Sequence, residues 1–121
     1  MKTLIFILLF ICNVAMAQTY KYNMTASTHA SQETKEQVLD SISANCGYFT
    51  VSDTMVVNHK EGLNPLYFHI SRKTLDLDCR CFYYFTEMND VIVVNEPMAY
   101  VVTAFITPKI VYITTFFITS P

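Results

Sequence analysis

Glycine is almost missing from this chain of 121 residues: Gly47 and Gly62 are its only two. A loop that cradles phosphate needs several backbone positions free of a Cβ, so phosphate-wrapping loops are excluded. Charge is also sparse, with 8 Lys and Arg against 10 Asp and Glu and a formal net charge of −2. No run of Lys or Arg occurs. Nucleic-acid backbones are normally held by a basic patch, so nucleic acid is not an expected partner. G-x-S-x-G, H-E-x-x-H, the P-loop and G-x-G-x-x-G are missing too. No internal repeat or low-complexity tract interrupts the chain, and nothing in it calls for a cofactor or a metal.

What is present begins with a leader. Lys2 is a basic n-region, Leu4 to Ile11 an apolar run, and Ala15-Met16-Ala17 supplies the small residues of a cleavage site. The run is too short for a bilayer, which takes about 20 apolar residues. Residues 1–17 therefore read as a cleaved signal peptide, and residues 18–121 as one small domain, secreted or periplasmic and without a transmembrane segment. Cleavage removes Cys12 and leaves Cys46, Cys79 and Cys81. An oxidising compartment predicts a disulfide from Cys46 to Cys79 or Cys81, with the third thiol buried. Cys79-Arg80-Cys81 has neither the usual zinc spacing nor the C-x-x-C of redox enzymes.

One helix is expected from about Thr34 to Asn45. Thr34-Lys35-Glu36-Gln37 has the form of a capping box, Val38, Leu39 and Ile42 make an apolar stripe, and Gly47 can end the helix. From Tyr48 onward alternation predicts strands. Leu66, Phe68 and Ile70 alternate with Tyr67, His69 and Ser71, and one parity runs from Leu75 through Cys79 and Cys81 to Phe85. A turn at Arg72-Lys73 would pair Ile70 with Leu75, inward residue against inward residue. In the preceding hairpin Val57 would face Phe68, and Met55 would face Ile70. Three apolar segments follow, Val91 to Val94, Met98 to Ile106 and Ile110 to Ile118. Pro108 and the density of Val, Ile and Thr make these strands rather than a membrane helix. The expected fold is mostly β (α+β), an antiparallel meander or sandwich-like sheet with one short N-terminal helix.

Two sites follow from that register. His69 falls opposite Asp76 on the outer face, the geometry of an oriented general base or of a plain cross-strand charge pair. No nucleophile or oxyanion donor accompanies them, which favours the charge pair. The segment Ile110 to Ile118 is apolar on both faces and uncharged after Lys109, so as an edge strand it lacks protection. A second copy or a protein partner is expected to cover it through Tyr112, Phe116 and Ile118. The leading functional expectation is an exported, non-catalytic module that binds a protein, a glycan or a small apolar ligand through its sheet. The alternatives are a self-assembling structural protein and a small hydrolase-like enzyme using His69 and Asp76.

Overall fold

The computed structural model describes residues 18–120, so the expected leader over residues 1–17 lies outside the described residues. Nine strands follow one another: β1 (Gln18–Ser31), β2 (Gln37–Ser43), β3 (Gly47–Val51), β4 (Met55–Lys60), β5 (Leu66–Asp76), β6 (Cys81–Thr86), β7 (Asp90–Asn95), β8 (Tyr100–Ile106) and β9 (Ile110–Ser120). From β3 to β9 each strand pairs antiparallel with the next. Strand β1 closes the ring. One of its edges pairs with β9 from Lys21 to Ser31, and the other pairs first with β3 (Gln18–Tyr22) and then with β2 (Thr25–Ala30). The result is a closed barrel of eight strands, with β2 as a flap beyond it. This corrects the expected open or sandwich-like sheet. Closure removes the edge along β9, which sits between β8 and β1.

The expected helix over Thr34–Asn45 is also corrected: the described residues contain no helix, and β2 occupies that segment. The misleading signals have physical sources. The Ser31 hydroxyl accepts the N–H groups of Glu33 and Thr34, and Thr34 Oγ1 accepts that of Glu36. Such side-chain bonds serve a turn as well as a helix cap. The β1–β2 register shifts at Asp40, which has no partner on β1 while Leu39 meets Thr28 and Ile42 meets Ala26. This bulge puts residues three apart on one face of a strand, a spacing that otherwise means helix. Gly47 begins β3 instead of ending a helix. Tyr22 pairs with it, and a Cβ there would collide with the Tyr22 hydroxyl and lie 2.5 Å from the His59 carbonyl oxygen.

An eight-stranded barrel is just wide enough for side chains to fill. Here Tyr22, Phe49 and Phe116 pack edge to face or tilted at its centre, with ring centroids 4.7–5.5 Å apart. Val56, Ile92, Val94 and Val101 complete the buried interior. Two polar groups share it at no cost in unpaired atoms. Tyr22 donates its hydroxyl proton to Asn58 Oδ1 at 2.7 Å, and Asn95 Nδ2 donates to the Tyr100 hydroxyl at 3.0 Å.

Register in the middle of the chain also differs from expectation. Val56 faces Phe68 and Met55 faces His69, a slip of one residue, because Ser52-Asp53-Thr54 forms a tight turn that resets parity. Strand β5 runs unbroken through Arg72 and Lys73, and the chain reverses instead at Leu77-Asp78-Cys79-Arg80. Arg80 turns the backbone there with φ of 57°.

Candidate functional site

One mouth of the barrel gathers the start of β1, the turns β3–β4, β5–β6 and β7–β8, and the end of β9. A cavity of about 580 Å³ opens there between β1, β7, β8 and β9, a volume suited to a small molecule. Val94, Ala99, Ile118 and the rings of Tyr20 and Tyr100 provide apolar wall. Gln18, Thr19, Asn95, Glu96 and Thr119 supply the polar groups, and Glu96 is the one charged residue among them.

Local chemistry shapes the wall. In the β7–β8 turn Asn95 Oδ1 accepts the Met98 N–H, the Glu96 carbonyl accepts the Ala99 N–H, and Ala99 adopts φ of 57°. This short loop holds Glu96 over the rim. The Tyr20 hydroxyl, on a nearly buried ring, reaches both Gln18 Oε1 and Glu96 Oε1, the latter at 2.5 Å. Burial, and then the bond to Glu96, push the Tyr20 hydroxyl well above its ordinary pKa of 10.0. It therefore stays protonated and donates.

Across the same mouth Lys73 lies over the rings of Phe82 and Tyr84, 4.7 and 5.5 Å from their centroids, and bonds Asp53 at 2.8 Å. That bond raises the Lys73 pKa. Burial raises the pKa of Tyr84, with Lys73 opposing the shift. Sequence reasoning missed Glu96, Tyr20 and Lys73. The Tyr20–Glu96 contact joins residues far apart in sequence and depends on closure, and the alternation of apolar residues places Lys73 in a turn.

The structure does not bring the predicted His69 and Asp76 together. His69 is opposite Met55, Asp76 is opposite Cys81, and both lie on the single strand β5. At about 3.3 Å per residue they stand some 23 Å apart along it. Asp76 instead accepts the Asp78 N–H and shapes the turn. A His–Asp contact does exist elsewhere: His29 Nδ1 lies 2.8 Å from Asp40 Oδ1, across the β1–β2 pair and open to solvent. His59 stacks on Tyr48 at 4.3 Å on the outer wall. Among the described residues no group of three His, Cys, Asp or Glu could hold a metal ion.

The disulfide in the structure joins Cys79 to Cys81, with Cα atoms 5.3 Å apart, and Cys46 is free and exposed. The expected partner, Cys46, sits where β2 leads into β3. The turn at Arg80 explains the local bridge, because residues two apart come within reach once the chain leaves the extended form. Of the expected interaction surface only Tyr112 is open. Phe116 is buried in the aromatic cluster and Ile118 packs against it. The reason is closure: β9 has one face in the barrel and a neighbour on each edge. Among the described residues no helix is long and apolar enough to cross a membrane.

Comparison with models of protein families, with curated proteins and with solved structures finds no match for this chain.

Proposed function

We propose that this chain is an exported, non-catalytic binding module that takes a small, largely apolar ligand in the mouth of its barrel. The cavity of about 580 Å³ carries the reading, with aromatic and aliphatic walls and a few convergent polar groups. The closed barrel supports it, since a rigid wall holds those groups in place without ordering cost on binding. Export rests on the leader pattern of residues 1–17. The separation of His69 from Asp76 removes the pair on which a hydrolytic role depended.

The test is solution NMR with 1-hexanol as probe. Binding should shift resonances of Tyr20, Tyr100 and Ile118 and leave those of the β4–β5 loop in place. Saturable shifts confined to other surfaces, or none at millimolar probe, would count against the cavity as the site.

A second reading, self-assembly, draws on β2. Among the described residues no strand lies beside its outer edge, and Val38, Leu39 and Ile42 are exposed on it. Sedimentation across a hundredfold range of concentration distinguishes the two, because assembly through β2 requires a mass that grows with concentration.

A further inference from the structure

We infer that the ligand of the barrel mouth carries a primary ammonium group on a short apolar body. This rests on the preceding reading that the cavity holds a ligand, and it adds the sign of the ligand's charge. The polar end of the cavity is built around an anion. The Tyr20 hydroxyl has a single proton, and its bond to Glu96 Oε1 at 2.5 Å occupies one carboxylate oxygen. However the Gln18 amide is turned, that bond is with a neutral donor and leaves the charge of Glu96 in place.

No salt bridge among the described residues involves Glu96. Lys73, the cation over the aromatic rings inside this mouth, is already bonded to Asp53. Glu96 is the one charged residue that lines the cavity, so the cavity itself carries one unit of negative charge. A carboxylate beside apolar wall gains more from a charged donor than from a neutral one, because such hydrogen bonds are roughly twice as strong. The rings of Tyr20 and Tyr100 line the same space, and aromatic faces attract cations within about 6 Å. An anionic ligand would instead place like charges side by side at Glu96, which is unfavourable. The remaining wall, Val94, Ala99 and Ile118, offers a tail nothing but apolar contact.

The experiment compares three probes of one size, hexylammonium chloride, 1-hexanol and sodium hexanoate. It uses titration calorimetry at pH 7 and low salt, where charge is least screened. The exported protein is used with its terminal amine acetylated, verified by intact mass, so that the Gln18 side chain is kept and no terminal amine lies beside Glu96. Hexylammonium is expected to bind about tenfold more tightly than hexanol and more tightly still than hexanoate. Glu96→Gln should bring the ammonium-to-alcohol ratio to about one, and Glu96→Lys should reverse the order in favour of hexanoate. Glu96 is exposed in a turn, and glutamine keeps an acceptor for Tyr20. Circular dichroism and Tm then verify that the variant is folded. Equal or tighter binding of hexanol or hexanoate by the unmodified protein would overturn the inference while leaving the cavity as a site. So would a ratio that Glu96→Gln does not change. If none of the three probes binds, the cavity reading fails and the inference fails with it.

Discussion

The barrel body and the flap beside it are made of the same kind of sequence and treat it differently. In the body, Phe49, Val56, Ile92 and Val101 are wholly buried. In the flap and the strand ends that support it, Val38, Leu39, Ile42, Phe105 and Tyr112 remain 47–60% exposed. Both regions are strands with apolar residues in register. In the body the wall curves back on itself, so each inward side chain meets others from across the ring. Past the end of β3, the continuation of β1 and β9 pairs with β2 and β8, and among the described residues no other strand packs across from it. Alternation alone therefore does not bury a residue; a second layer does.

The sharpest way to break the comparison is to cut the centre of the body. Phe116→Ala removes the ring that touches both Tyr22 and Phe49. It should cost about 3–5 kcal/mol, as large aromatic truncations in cores do. Urea denaturation measures this, and a loss below about 1 kcal/mol would mean that the cluster is not the core. Next in size is Gly47→Ala. The added Cβ meets Tyr22 and the His59 carbonyl, so overpacking of about 1–3 kcal/mol is expected. An unchanged urea midpoint would show that Tyr22 does not cover Gly47.

A third effect comes from the tyrosine hydroxyls held in the body. Burial raises the pKa of Tyr20, Tyr22 and Tyr84 above 10.0. Below about pH 10 folded and unfolded chains both keep these protons, and the stabilisation is fully present. Above it the unfolded chain releases them first, so stability falls as pH rises toward the folded values. Urea midpoints at pH 8 to 11 should show that decline, with a shallower slope in Tyr20→Phe. A midpoint independent of pH would contradict the buried placement.

The smallest effects belong to the flap. Leu39→Ser and Ile42→Thr should each change stability by less than about 0.5 kcal/mol, as surface substitutions do. A loss of 2 kcal/mol or more would reveal a covering partner or a second copy. Cys46 should react with a maleimide in the native protein, while peptide mapping recovers Cys79 linked to Cys81. Recovery of a Cys46-linked peptide would reverse that assignment.

Much of the strand content was legible because its cause is local. Val, Ile, Thr and aromatic residues crowd the stretch from Val91 to Ile118, and Pro108 with Lys109 marks the turn between β8 and β9. The helix expectation failed at Thr34 to Asn45 because a turn with side-chain caps followed by a bulged strand copies helix spacing. The His69–Asp76 pair failed through register. Arg72-Lys73 carries no turn residue, whereas Asp78 and Arg80, with a side-chain bond and a positive φ, make the real reversal. Tyr20 and Glu96 could have been flagged only as a polar aromatic and a turn carboxylate, since nothing near either residue in sequence announces the other.

By itself the sequence determined that residues 48–118 are built of strands and that a long apolar segment follows Asp90, because propensity and alternation are properties of neighbours. It also set the scarcity of glycine and the lack of any run of Lys or Arg. Only the tertiary structure decided that β1 pairs with β9, that Phe116 turns inward rather than toward a partner, that Cys79 bonds Cys81, and that Glu96 meets Tyr20 at a cavity. Each of these is a choice of register or of closure between strands. Several registers satisfy the same local alternation, and in the one adopted the aromatic cluster of Tyr22, Phe49 and Phe116 fills the ring.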